Sequence, residues 1–379
     1  MPTSADNDGR FMQHALDLAR RGRALASPNP MVGAVLVRDG QIVGEGFHRY
    51  AEKKHAETCA LEQAGAASQG STLFVTLEPC SHQGRTPPCT GQLIAADVSR
   101  VVAAMKDPNP LVAGTGLGIL REAGIAVETG RCEAEALKLN EAYCKFIQTR
   151  LPFVTLKAGM TLDGKIAQAD GRSQWITQDV SRQRVQQLRF ENDAIMTGIG
   201  TVLADNPRLT DRTGLQRRRP LLRVVVDTWL RLSPDSTLVR SRADGDILVF
   251  CSEQRNTARQ GQLEASGVEV MPITTTEGKV SLPAVLRELG QRDITSVVIE
   301  AGPTLNFEAL RSDCVDKLLC FIAPRILGGQ SPLPLVGGEG FVRLDHSLQL
   351  RFASIEPIGD DLLVEAYVSK SKAVSDTAH

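Results

Sequence analysis

One histidine and two cysteines constrain this chain more than its composition does. His55 is followed by Ala56-Glu57, and later the chain runs Glu78-Pro79-Cys80-Ser81-His82-Gln83-Gly84-Arg85-Thr86-Pro87-Pro88-Cys89. One imidazole and two thiols can hold a zinc ion with its fourth position open, while a carboxylate near the histidine is free to move protons. The segments carrying His55, Cys80 and Cys89 must then converge. A helix containing Ala60, Leu61 and Ala64 has His55 and Glu57 in its first turn, and Ser71 to Leu77 reads as a buried strand leading into Glu78-Pro79-Cys80. Pro87-Pro88 suits the entrance of a second helix near Cys89. Both clusters are expected at helix N-termini, whose partial positive charge favours thiolate over thiol. A closed structural site would need a fourth ligand, for which His82 is the obvious candidate. Only two residues after Cys80, it would strain the loop by chelating the same ion.

The flanking pattern is that of a layered α/β domain. Phe11 to Arg21 places Phe11, Met12, Ala15, Leu16, Leu18 and Ala19 near one helix face, and Met31 to Val37 and Gln41 to Phe47 read as strands joined by Asp39-Gly40, a hairpin signal. Strand Arg100 to Met105, helix Leu117 to Ala123, strand Ile125 to Thr129 and helix Cys132 to Tyr143 complete the alternation. At 379 residues the chain is too long for one ordinary core. Thr149-Arg150-Leu151-Pro152 marks a boundary between a domain over 1–148 and another over 149–368, and 369–379 is a polar tail expected to be disordered.

A formal net charge of -1 gives no basic field for a polyanion, and 4% aromatic residues leave little for a base-stacking surface. A small-molecule substrate is therefore expected, with no nucleic-acid partner. Met1 to Arg10 has no apolar leader core, and no apolar run approaches the roughly 18 residues of a membrane span, so a cytoplasmic protein without a membrane partner is expected. Of eight cysteines, only Cys80 and Cys89 sit in a ligand-like context; the others read as buried thiols.

Zinc nucleoside and nucleobase deaminases share His-x-Glu with Pro-Cys-x-x-Cys, in which zinc acidifies a water and the Glu shuttles protons. Here eight residues, not two, separate Cys80 from Cys89. With Asn29 in Pro28-Asn29-Pro30-Met31-Val32-Gly33, this longer loop resembles the deaminase half of the bifunctional riboflavin-biosynthesis deaminase/reductase family. The resemblance implies a cytidine-deaminase-like three-layer α/β/α domain that removes an amino group from a diamino-pyrimidinone bearing a phosphoribosylamino arm. It implies zinc on His55, Cys80 and Cys89, proton transfer by Glu57, and substrate contacts from Asn29, His48, His82 and Arg85, the last suited to phosphate.

The second half is also α/β, with strands beginning at Phe153 and read over Ala194 to Thr197, Leu222 to Asp227, Ile247 to Phe250, Val268 to Ile273, Ser296 to Glu300 and Lys317 to Ile322. Helices are read near Val180 to Phe190, Leu282 to Leu289 and Leu305 to Arg311. Gly159-Met-Thr-Leu-Asp-Gly164-Lys165 mimics a phosphate loop, but Ile166 follows where a magnesium-binding hydroxyl is needed. No Gly-x-Gly-x-x-Gly occurs at a strand-to-helix turn.

Lys157-Ala-Gly159-x-x-Leu162-Asp163-Gly164-Lys165, Ser173-Gln174-Trp175-Ile176-Thr177, Gly200 to Thr210 and Glu300-Ala-Gly302-Pro303-Thr304-Leu305 together resemble the riboflavin-biosynthesis reductase. The resemblance implies a dihydrofolate-reductase-like α/β domain that uses NADPH to reduce the ribosyl group to ribityl. By it, Gly159, Trp175, Thr177, Thr201, Asp205, Thr228 and the turn Gly302, Pro303, Thr304, Leu305 belong to the cofactor site. Ser173, Arg189, Leu209, Arg212 and Glu300 belong to the substrate site. Lys157, Asp205 and Glu300 are the polar groups expected nearest the chemistry. The expected partner is a phosphorylated pyrimidine, and a homo-oligomer is expected. Two readings compete: a nucleic-acid base deaminase, and a non-catalytic interaction module stabilised by zinc.

Overall fold

The computed structural model describes residues 4–82, 87–110, 112–169, 171, 175–341 and 343–369. Arg85, Ser173 and the tail from residue 370 lie outside the described residues. The chain divides into two compact units, Met1–Arg150 with Gln216–Arg219, and Leu151–Leu215 with Pro220–His379.

In the first unit the elements run α1 (Ser4–Arg20), β1 (Gly33–Arg38), β2 (Gln41–Phe47), α2 (Ala56–Ala64), β3 (Thr72–Val75), α3 (Cys89–Ala95), β4 (Arg100–Ala103), α4 (Thr115–Glu122), β5 (Ala126–Thr129), α5 (Glu133–Leu139) and α6 (Glu141–Thr149). The sheet order is β2-β1-β3-β4-β5, with β1 antiparallel to β2 and β3, and β3, β4 and β5 parallel. Two glycines reveal the layering. A Cβ on Gly33 would lie 2.0 Å from Ala15 O of α1, and one on Gly46 would lie 2.6 Å from Ala56 O of α2. Gly46 pairs with Ala34, the next residue after Gly33, so the two glycines face opposite sides of the sheet. Helix α1 therefore covers one face and α2 the other, and β1 is buried from Gly33 to Val37 as such a strand must be.

The expected helix Cys132 to Tyr143 is broken between α5 and α6. Asn140 sits at the break, buried, accepting from Met31 N (2.8 Å) and donating to Met31 O (2.9 Å). This pairing with a residue 109 positions away overrides the helical pattern and ties down the segment that carries Asn29.

The second unit runs β6 (Phe153–Thr161), β7 (Lys165–Ala167), α7 (Asp179–Glu191), β8 (Ala194–Gly198), α8 (Ile199–Asp205), β9 (Leu222–Val226), α9 (Thr237–Arg240), β10 (Ile247–Cys251), α10 (Thr257–Ala265), β11 (Glu269–Pro272), β12 (Thr275–Thr276), β13 (Lys279–Val280), α11 (Leu282–Gln291), β14 (Ser296–Ile299), α12 (Pro303–Arg311), β15 (Lys317–Ala323), β16 (Leu333–Pro334), β17 (Leu350–Ile358) and β18 (Asp361–Val368). Its large sheet has the order β11-β10-β9-β8-β14-β6-β15-β18-β17. The first seven of these are parallel, β18 is antiparallel to β15, and β17 is antiparallel to β18. Strands β10 and β14 are buried at every position, so both faces are covered. The phosphate-loop mimic is a turn between β6 and β7, not the entrance to a helix: Gly164 N donates to Thr161 O, and Asp163 accepts from Leu327 N and Gly328 N.

Candidate active sites in the two units

His55 is the N-cap of α2, with extended backbone, and this places Glu57 in the first helical turn. Cys89 opens α3 immediately after Pro88. His55 Nδ1 lies 3.2 Å from Cys89 Sγ and 3.4 Å from Cys80 Sγ, and all three donor atoms fall within 4.8 Å of one another. Zinc–ligand bonds of about 2.0–2.3 Å at a tetrahedral angle require N–S edges near 3.6 Å, so donor type and spacing fit zinc. Among the described residues no fourth His, Cys, Asp or Glu joins the group, and His82 is exposed outside it.

The thiols share protons unequally. A hydrogen bond from the Cys89 thiol draws the Cys80 thiol down to about 4; His55 and the Cys89 backbone N–H (3.3 Å) add to this, and burial opposes it. The same hydrogen bond, with burial, pushes Cys89 up. His55 is raised first by its hydrogen bond to Cys80. Glu57 is almost wholly buried, and burial holds its carboxyl above the usual carboxylate range. His48 is buried and burial lowers its pKa; its Nε2 lies 3.0 Å from Asn29 Nδ2 and its Nδ1 donates to Lys54 O (2.7 Å). Neutral His48 and Asn29 are thus already oriented by each other.

Glu78 has a part that the motif alone did not disclose. Its Oε2 accepts from Asp107 N (3.1 Å) and Gly114 N (2.9 Å), and its Oε1 from Gly116 N (2.9 Å) and Leu117 N (3.2 Å). One buried carboxylate thus clamps the α4 entrance onto the Cys80 segment, and Gly116 approaches so closely that a Cβ would lie 2.1 Å from Pro79 O. Glu78→Ala orphans four donors, so the first unit is expected to lose about 3 kcal/mol or more. Thermal unfolding with chelator present separates that loss from any change in metal affinity; an unchanged transition would contradict the clamp.

In the second unit a cavity of about 1290 Å³ opens at the carboxyl ends of the parallel strands, the usual ligand position in such sheets. It is lined by every described residue expected at the cofactor and substrate sites: Lys157, Gly159, Trp175, Thr177, Arg189, Thr201, Asp205, Leu209, Arg212, Thr228, Glu300 and Gly302 to Leu305. Trp175 is 60% exposed, which excludes a core role. Arg182 stacks on its ring at 4.6 Å. Ile299 pairs with Leu156, so Glu300, just past the end of β14, and Lys157, inside β6, stand at the same level of the sheet. Glu300 accepts from Arg189 Nε (2.7 Å) and Nη2 (2.9 Å), and Lys157 Nζ lies 3.5 Å away. Burial raises the Glu300 carboxyl, but the charges of Arg189 and Lys157 outweigh it and hold the group at about 2. Arg189 Nη1 also donates to Thr210 O (3.0 Å), so this guanidinium is largely committed within the protein. Arg212 is exposed at the cavity wall.

Residues 5–105 match the model of the cytidine and deoxycytidylate deaminase zinc-binding region, and residues 152–364 match that of the RibD C-terminal domain. The riboflavin biosynthesis protein RibD of Escherichia coli (strain K12) is 42% identical over 370 residues, covering 94% of this chain and 98% of its own. That of Aquifex aeolicus (strain VF5) is 40% identical over 358 residues, covering 94% and 97%. Among solved structures, Acinetobacter baumannii RibD, form 1, superposes with a TM-score of 0.83 at 37% identity, covering 96% of this chain and 99% of that one. A diaminohydroxyphosphoribosylaminopyrimidine deaminase/5-amino-6-(5-phosphoribosylamino)uracil reductase from Thermotoga maritima does so with 0.83 at 35%, covering 96% and 99%. With a zinc-type ligand group in one unit and a strand-end cavity in the other, the chain belongs to the riboflavin biosynthesis protein RibD family, an enzyme joining a zinc-binding deaminase domain to a reductase domain.

Proposed function

We propose that residues 1–148 hydrolytically deaminate 2,5-diamino-6-(phosphoribosylamino)pyrimidin-4-one and that residues 149–368 then reduce its ribosyl group to ribityl with NADPH. The observation that carries the first step is the convergence of His55, Cys80 and Cys89 beside the buried carboxyl of Glu57. Zinc held by these three residues would supply the Lewis acidity that makes water a source of nucleophile near neutral pH. Glu57 takes one proton from the attacking water and gives it to the ring nitrogen, then carries the hydroxyl proton of the addition product to the departing ammonia. Asn29, His48 and His82 orient the pyrimidine, and Arg85 binds the phosphate.

For the second step, NADPH held in this cavity would supply the hydride for the open-chain sugar carbonyl, with water supplying the proton that completes the hydroxyl. Gly159, Trp175, Thr177, Thr201, Asp205, Thr228 and the α12 entrance Gly302 to Leu305 hold it. Lys157 offers N–H donors to the developing alkoxide, and Glu300 keeps Lys157 and Arg189 in place. Ser173 and Leu209 bound the sugar. Because Arg189 is committed to Glu300 and Thr210, Arg212 is the cation assigned to the substrate phosphate.

Eight free cysteines support a cytoplasmic enzyme, and among the described residues no helix is long and apolar enough to cross a membrane. Leu350, Phe352 and Ile355, exposed on the edge strand β17, support a homo-oligomer. A nucleic-acid base deaminase and a non-catalytic zinc module are not favoured by the family. Chelator titration separates the zinc module from an enzyme: ammonia release is expected to vanish while most of the folded signal is retained. Collapse of the fold with the metal would contradict a catalytic site.

A further inference from the structure

Strand β9 carries a charge where its neighbours are apolar. Arg223 stands beside Leu222, Val224 and Val225 and is fully buried, the largest side chain so placed among the described residues. Among the described residues, none of its hydrogen bonds goes to a carboxylate. Nη1 donates to Arg208 O (3.2 Å), Leu238 O (3.3 Å) and Ser241 Oγ (2.9 Å), and Nη2 to Ser241 O (3.0 Å) and Gly245 O. Burial holds this guanidinium below its usual pKa. An apolar side chain would be the cheaper occupant of such a position, because burying a charge is costly even where the carboxylates of Asp244 and Asp246 act on it without a hydrogen bond.

One of those acceptors belongs to the wall of the cavity. Arg208 O precedes Leu209, which is buried, lines the cavity and has φ of 55, a left-handed conformation that branched side chains seldom adopt. On the other side of Leu209, Thr210 O accepts from Arg189, the guanidinium that also grips Glu300. Asn206, with φ of 42, opens the same turn and its Oδ1 accepts from Thr237 N (2.7 Å). A strained turn is thus strung between two guanidiniums, one shared with Glu300 and one rooted in the core.

We infer that Arg223 is a positioning residue of the reductase site: through Arg208 O it fixes from behind the left-handed turn that presents Leu209 to the sugar-phosphate end of the substrate. The inference rests on the cavity being the reductase site. Arg223 acts by holding backbone, so its loss misplaces the wall without removing any group that touches the cofactor.

The test is steady-state kinetics of the full zinc-loaded chain with supplied deaminated pyrimidine and NADPH. Arg223→Met is expected to raise the KM for the pyrimidine by about tenfold, leaving the KM for NADPH and the rate of ammonia release unchanged. Ser241→Ala, which shortens the cradle by one acceptor at a residue that lines no part of the cavity, is expected to raise the same KM by a smaller factor. Should Arg223→Met not fold, Ser241→Ala decides. An unchanged pyrimidine KM, or equal changes in both KM values and kcat, overturns the inference. No NADPH oxidation by the unaltered chain overturns the reductase reading itself, and the inference with it.

Discussion

Glu57→Gln is expected to lower ammonia release by about 10²- to 10⁴-fold, the usual contribution of a positioned general acid–base group. NADPH oxidation with supplied deaminated substrate should continue at the rate of the unaltered chain. Glutamine preserves the shape of a side chain packed in the first turn of α2, so the zinc ligand His55 stays where its N-cap backbone puts it. What disappears is the capacity to accept the water proton and release it to ammonia. Zinc content measured on the variant should therefore be unchanged. Loss of both activities together would contradict separable sites, and retained ammonia release would remove Glu57 from the chemistry.

Glu300→Gln is expected to cost the second unit about 3–5 kcal/mol, the usual penalty for leaving a buried charge without its partner. Arg189 and Lys157 would then face each other over a neutral amide; their side chains are only 13% and 18% exposed. Reductase turnover should fall as well, because the amide no longer holds the Lys157 donor. The pH dependence has a definite sign. The folded carboxyl titrates at about 2, below its ordinary 4.5, so it stabilises the fold above pH 4.5 and that contribution is lost as pH falls towards 2. The stability gap between the two chains, measured by urea unfolding, should be widest at neutral pH and shrink on acidification from pH 4.5 towards 2. A gap that widened with acid would contradict the ion-pair account.

The zinc site was legible because its chemistry is local: a helix start, a strand exit and a second helix start each carry one ligand, and short-range rules place all three. The hairpin at Asp39-Gly40 was legible for the same reason; both residues have positive φ, 50° and 74°. Features held by distant partners were not. The break at Asn140 depends on Met31, the clamp of Glu78 on the α4 entrance, and the buried Arg223 on the carbonyls of Arg208, Leu238, Ser241 and Gly245. Strand β17 was missed because it is an exposed edge interrupted by a register shift between Phe352 and Ser354, which removes the alternation a sequence reading relies on. Helix α10 was missed because it buries only Leu263 and so shows no apolar stripe. Arg223 did leave one signal, a lone charge inside a valine-rich strand.

We propose that two chemistries proceed in order on one chain. The most direct measurement supplies the diamino-pyrimidinone phosphoribosyl substrate with and without NADPH, following ammonia and NADPH oxidation separately. Ammonia should appear without the cofactor, and NADPH should be consumed only after ammonia has been released. NADPH oxidation that precedes any ammonia, or ammonia that requires NADPH, would contradict the account.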